Sequence, residues 1–160
     1  MAVFAEVGDF AAALPPGRAL MGLDLGTKTI GVAVSDTSRR IASPLETIRR
    51  TRFAVDAAAI LALVGPRRIG GLVLGLPRNM DGSEGPRAQS TRAFARNLAA
   101  LTALPITFWD ERLSTVAAER ALLEADASRR RRAAVIDHVA AGYILQGLLD
   151  RLGHLEANAR

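Results

Sequence analysis

The stretch LMGLDLGTKTIGVAVSD, residues 20–36, decides how the rest of the chain is read. An apolar run ends on a carboxylate, Asp24. The turn Gly26-Thr27-Lys28-Thr29 follows, and then a second apolar run begins. Two such runs joined by a short Gly-containing turn read as an antiparallel hairpin, with strands over residues 19–24 and 30–35. An ionised carboxylate buried without partners costs several kcal/mol. Asp24 therefore belongs at the rim of a sheet, facing a cation or hydrogen-bond donors. A turn-forming Asp that caps the Gly26–Thr27 backbone is the alternative.

Working outward, residues 1–18 read as an N-terminal extension with one short helical turn, stopped by Pro15-Pro16-Gly17. A third strand is expected at 46–49. A helix follows over 53–63, with Val55, Ala59 and Leu63 on one stripe. Residues 69–76, IGGLVLGL, are apolar throughout, which suits a central strand covered on both faces. A long helix is expected over 83–101, with Ser83 as N-cap and Glu84 in its first turn. A strand at 106–110, a helix at 114–124 capped by Ser114, and a last helix over 136–152 complete the order. The run Arg129-Arg130-Arg131-Arg132 reads as a loop before that last helix. The expected fold is α/β: a central five-stranded mixed sheet, with an antiparallel three-strand meander plus two parallel strands, flanked by helices. Residues 19–150 form the one domain, and 151–160 a tail.

With 160 residues and 49% hydrophobic content the chain can bury a core of its own. It has no cysteine, which removes disulfides and Cys-type zinc sites and suits a reducing compartment. No apolar run approaches the ~20 residues of a membrane span, and the N-terminus lacks a signal-peptide pattern. A cytoplasmic protein is expected. Its net charge of +5, mostly from arginine, favours polyanionic partners.

Two further acids occupy positions like that of Asp24. Glu111 ends the fifth strand, beside Asp110. Because side chains alternate along a strand, Thr107, Trp109 and Glu111 share one face and Phe108 and Asp110 the other, so one acid of the pair points toward Asp24. Arg112 could pair with either. Asp137 begins the last helix, one turn before the stripe Ala141, Ile144, Leu148; a favourable interaction with the helix dipole would also explain it. Taken together, the three acids converge if both strand tips lie at one end of the sheet. Clustered carboxylates repel, and a hard divalent cation, Mg²⁺ or Mn²⁺, is their natural partner. Two such ions can bracket an in-line attack on a phosphodiester.

Four blocks, GLDLGTKTIGVAVSD, LVLGLPRNMDGSEGPRAQSTRAFA, WDERLSTVAAE and IDHVAAGYILQGLLD, resemble the YqgF/RuvX family of Holliday junction resolvases, also described as pre-16S rRNA processing nucleases. The likeness covers residues 18–149, with the motifs in order. It implies a ribonuclease H-like fold, metal-dependent cleavage of nucleic acid, and the family's acids at Asp24, Glu111 and Asp137. Related resolvases use four carboxylates, and here the sequence offers no clear fourth: Asp110 should point away, and His138 is a neighbour. The block around Arg78 and Asn79 suggests contact with a nucleic-acid backbone, with Asp81-Gly82 either part of that loop or a simple turn.

Thr27 and Lys28 could hold a phosphate, or Lys28 could be an exposed turn residue. Arg112 and the run Arg129, Arg130, Arg131 and Arg132 are further candidates for phosphate neutralisation, which would make binding salt-dependent. Trp109 and Tyr143 are expected in the core, so recognition should rest on backbone and shape rather than base stacking. Partners are expected to be pre-rRNA or branched DNA and ribosomal subunit precursors, with no membrane, the protein acting as monomer or homodimer. Two rival functions remain open on sequence. One is a non-catalytic RNA-binding ribosome-assembly factor on a nuclease scaffold. The other is an ATP-handling domain, since DLGT also looks like an actin-like phosphate loop; that class pairs two domains across a cleft, and this chain supplies one.

Overall fold

The computed structural model describes residues 3–113 and 129–159, with side chains of the final helix described from residue 138 onward. Six strands form one sheet: β1 (Val3–Phe4), β2 (Ala19–Leu25), β3 (Thr29–Ser35), β4 (Ala42–Arg49), β5 (Ile69–Leu76) and β6 (Ile106–Asp110), in the order β1-β6-β5-β2-β3-β4. The β2–β3 and β3–β4 pairs are antiparallel, and β2–β5, β5–β6 and β1–β6 are parallel. The mixed sheet is thus the expected one with a sixth strand added, and β4 starts four residues earlier than its sequence suggests.

Every residue of β2 and of β5 is buried, as continuous apolar strands covered on both faces must be. One face packs against α2 (Phe53–Ala62) and α3 (Pro86–Ala99), through Leu23, Leu72, Leu74, Ile60, Phe94 and Leu98. The other packs against the last helix, here α4 (Arg129–Asn158), through Leu20, Val73, Trp109, Ile144, Leu145 and Leu148. Gly22 is what lets α4 lie so close. A Cβ there would stand 2.8 Å from Leu145 Cβ and 3.0 Å from the Ala141 carbonyl oxygen.

Helix α4 runs antiparallel to β2 in a fixed register. Ala42 N–H donates to Gln146 Oε1 at 2.9 Å, Gly142 rests on Pro44, and one turn earlier His138 Nδ1 lies 3.0 Å from Thr47 Oγ1. One helical turn of about 5.4 Å thus tracks two to three residues of β4, and the early part of α4 is carried to the end of the sheet where β2 finishes.

Several expectations change. Residues 3–13 fall in the segment read as an extension, yet they join the fold: β1 pairs with β6, and α1 (Val7–Ala13) buries Phe10 completely, edge-on to Phe4. The apolar Phe4, Val7 and Phe10 give this short segment enough buried surface to hold. In α2 the buried side is Asp56, Ala57 and Ile60, and Val55 is exposed. Helix α3 starts at Pro86, not Ser83: proline fits the first turn, where its missing N–H is not needed. Ser83 instead bonds Asp81.

Arg129–Arg132 do not form a loop but open α4, which continues to Asn158 and so takes in most of the expected tail. Tyr143 is exposed, because at 100° per residue it faces away from the buried Ala141, Leu145 and Leu148. Ser114 and the helix expected over 114–124 lie outside the described residues. Among the described residues, no helix is long and apolar enough to cross a membrane.

Candidate active site

Leu20, Gly22 and Asp24 alternate toward the α4 face of the sheet. Asp24 is the last of the three and is 3% exposed. Its neighbours across the sheet are glycines. Gly31 of β3 stands opposite it. On the other side Leu23 pairs with Leu74, so the next step of the parallel register sets Asp24 beside Gly75 of β5. With strands about 4.8 Å apart, the carboxylate occupies a slot whose two flanks carry no side chain.

Glu111 reaches the same slot from β6. The strand ends at Asp110, and the chain turns through one 3₁₀ turn, Glu111–Leu113. Glu111 is therefore not itself in the strand, but it keeps the face that alternation assigns to it. Its Oε1 lies 2.8 Å from where a Cβ on Gly75 would sit. Two acids from distant stretches of chain thus both lie beside one glycine.

On the far side of Gly31 the row continues to Thr47, its register partner on β4, and to His138 of α4 above it. Asp137 is the helix position next to His138, level with this row. Its side chain lies outside the described residues, as do those of Arg129, Arg130, Arg131 and Arg132. The helix begins two turns before Asp137. The dipole effect fades within the first turn, so a favourable helix N-terminus does not account for an acid there. Among the described residues, no three His, Asp or Glu side chains are close enough to hold a metal ion.

The other acid of the pair, Asp110, points away, as alternation requires. Arg112 resolves its own ambiguity by gripping Asp110: Nε donates at 3.1 Å, Nη2 at 2.7 Å and its backbone N–H at 3.0 Å. That guanidinium holds the Asp110 carboxyl below the usual carboxylate range. Arg78 lies 3.3 Å from Glu84 and 3.8 Å from Asp110.

Asn79 is taken up by its own loop, its N–H donating to the Ser83 carbonyl and its side-chain amide to Ser83 Oγ, both at 2.9 Å. Asp81 accepts from the Ser83 N–H and hydroxyl, and Gly82 has a φ of 89°. Residues 79–83 therefore form a self-bonded turn. Thr27 and Lys28 are exposed at the tip of the β2–β3 hairpin. Trp109 is in the core, as expected.

Sequence reasoning missed Gly31, Gly75 and Thr47. A signal for Gly75 existed: a glycine inside an apolar strand often marks close approach of another group. Nothing in the sequence pairs Thr47 with His138, since only the packing of α4 against β4 brings them together.

A mixed sheet in this order, with an acid at the end of its central strand and the closing helix laid across it, is a ribonuclease H-like fold. Two solved resolvases share it: Thermus thermophilus RuvC in complex with a Holliday junction substrate (TM-score 0.53, 13% identity, 85% of this chain and 96% of that one), and the yeast mitochondrial Holliday junction resolvase Ydc2 (TM-score 0.52, 12% identity, 94% and 86%). At sequence level the match is far closer. The family model described as RuvX, Holliday junction resolvase, matches residues 18–151, and the chain belongs to that family. Relatives named "Putative pre-16S rRNA nuclease" are 76% identical in Rhodobacter capsulatus, over 92% of each chain, and 74% identical in Ruegeria pomeroyi, over 93% of this chain and 97% of that one.

Proposed function

We propose that this protein is a divalent-metal-dependent nuclease that hydrolyses phosphodiester bonds in structured nucleic acid, and that its task is processing of pre-16S rRNA in the cytoplasm during ribosome biogenesis. The observation that carries the reading is the position of Asp24 and Glu111 beside the same residue, Gly75. An all-carboxylate donor set suits Mg²⁺ or Mn²⁺, and Gly75, having no side chain, lets Glu111 approach the end of β2 where Asp24 stands. Asp24, Glu111 and Asp137 would hold the metal. Once bound, such ions neutralise the phosphate and lower the pKa of the attacking water.

The chain's own residues do the positioning. In this reading the end of β2 would hold Asp24, the turn after β6 would aim Glu111, and α4 would supply Asp137. Arg129 to Arg132, two turns upstream on the same helix, would meet phosphates leading away from the site. The names of relatives above 70% identity favour pre-16S rRNA as substrate. The family description favours a four-way DNA junction, and the same site chemistry serves either.

The test is cleavage by the purified chain of a pre-16S rRNA fragment and of a four-way junction, with Mg²⁺ or Mn²⁺, beside Asp24→Asn. Cleavage by the unmodified chain, lost in Asp24→Asn while folding and binding persist, is the expected result. Binding without cleavage of either substrate would instead identify a non-catalytic RNA-binding assembly factor.

A further inference from the structure

The structure sorts the arginines into those already neutralised and those without a counter-charge. Arg78, Arg92 and Arg112 are held by Glu84 and Asp110. A second set surrounds the tip of the β2–β3 hairpin. Lys28 is in the turn itself. Arg49 pairs in register with Thr29, on the face that carries Asp24. Arg52 is the N-cap residue of α2. Arg87, in the first turn of α3, reaches back so that its Nη2 lies 3.5 Å from the Leu25 carbonyl oxygen. All four are exposed, and none has an ion-pair partner among the described residues.

The acids nearest to them are already engaged. Asp56 is 2% exposed and binds the Thr51 N–H and Arg50. Glu84 holds Arg92 through two bonds of 2.6 and 2.7 Å. Glu46 sits lower on β4, opposite Val32. Arg50 anchors the collar: its N–H donates to the Lys28 carbonyl at 2.9 Å, its Nη1 to the Gly26 carbonyl at 2.6 Å, and its guanidinium lies over the Phe94 ring.

From the proposed nuclease reading, on which this rests, we infer that Lys28, Arg49, Arg52 and Arg87 form a track for the sugar-phosphate backbone of the substrate. The track runs from the Asp24 slot over the end of the sheet to the α2/α3 side. Gly26 is two residues beyond Asp24, about 7 Å along a strand, so the track begins next to the reacting phosphate. The substrate wraps the edge of the sheet instead of lying only on the α4 face. Free cations attract phosphate and release counterions; guanidiniums already gripped by carboxylates contribute far less.

The experiment is equilibrium binding, by fluorescence anisotropy, of the full chain carrying Asp24→Asn, so that no substrate is consumed. Two labelled probes are used, a four-way DNA junction and a pre-16S RNA stem-loop, each titrated from 50 to 200 mM KCl. Each phosphate contact contributes about 0.9 to the slope of log K against log salt on duplex DNA and about 0.7 on single strands. Lys28→Gln/Arg87→Gln should therefore flatten the slope by about 1.8 on the junction and weaken binding on the order of 10- to 100-fold at 0.1 M salt.

Arg67→Gln/Arg96→Gln, an equal charge loss at the opposite end of the sheet, should leave the slope unchanged. Single Arg87→Gln, a lone exposed change, should give about half the double variant's effect. Equal slopes for the two double variants on both probes would overturn the track, as would no binding by the Asp24→Asn chain. Neither result depends on cleavage. A nuclease with an unchanged slope keeps its activity and loses this surface, and an inactive protein with a flattened slope keeps the surface.

Discussion

Gly75→Ala tests the site through one methyl group. That methyl would stand 2.4 Å from Ile144 Cδ1 and 2.8 Å from Glu111 Oε1, where relaxed contacts lie at about 3.5–4.0 Å. Ile144 is fully buried and its Cγ1 would also stand at 3.0 Å, so its side chain must repack. Glu111 must retreat by about 1 Å, away from Asp24. Overpacking of this kind costs about 1–3 kcal/mol. With a buried Ile144 and a carboxylate both displaced, a thermal shift of several degrees is expected.

The effect on catalysis should be much larger, since a misplacement of about 1 Å can cost about 10²-fold. Single-turnover cleavage with saturating Mn²⁺ and circular-dichroism melting read the two effects separately. Gly142→Ala is the control. Its Cβ would meet Pro44 Cγ at 3.4 Å, an ordinary contact, and alanine gains up to about 1 kcal/mol over glycine in a helix. That variant should melt no lower than the parent and cleave normally. If Gly75→Ala folds and cleaves within about twofold of the parent, Glu111 does not act where the structure puts it.

Gly147→Ala would drive a methyl to 2.7–2.8 Å from three atoms of the Trp109 indole; a rigid ring cannot swing clear. Urea unfolding should show a loss of about 1–3 kcal/mol, with a shift in the emission of this sole tryptophan. Phe10→Ala should cost about 3–5 kcal/mol if α1 belongs to the core, as its complete burial implies; a change under 1 kcal/mol by the same method would return residues 3–13 to the status of an appendage. Asp36 accepts the backbone N–H groups of Ile41 and Arg40 and the Ser38 hydroxyl, Ile41 contributing most, and these hold its pKa at about 2. The folded value lies below the 3.8 of an ordinary aspartate, so its stabilisation is complete above about pH 4–5 and is lost as pH falls through about 2. The melting temperature of Asp36→Asn should therefore lie below the parent's at pH 7 and converge with it near pH 2, and parallel profiles would contradict this.

Five of the six strands, their division into an antiparallel meander and parallel strands, and the acids worth watching are legible in the sequence. Periodicity is a local signal: the unbroken apolar run at 69–76 needed no partner to be read as a central strand, nor the run at 19–24 to be read as a hairpin arm, and alternation along 106–111 sent Asp110 and Glu111 to opposite faces. Tertiary structure decided what depends on register. Only pairing across strands puts Gly31 and Gly75 on either side of Asp24, and only the packing of α4 on the sheet puts Thr47 under His138. Only packing shows that Arg78 and Arg112 are consumed by Glu84 and Asp110, while Arg49, Arg52 and Arg87 pair with no acid among the described residues. A charge is visible in one residue, but its neutralisation belongs to a pair, and pairs distant along the chain exist only once the fold has closed.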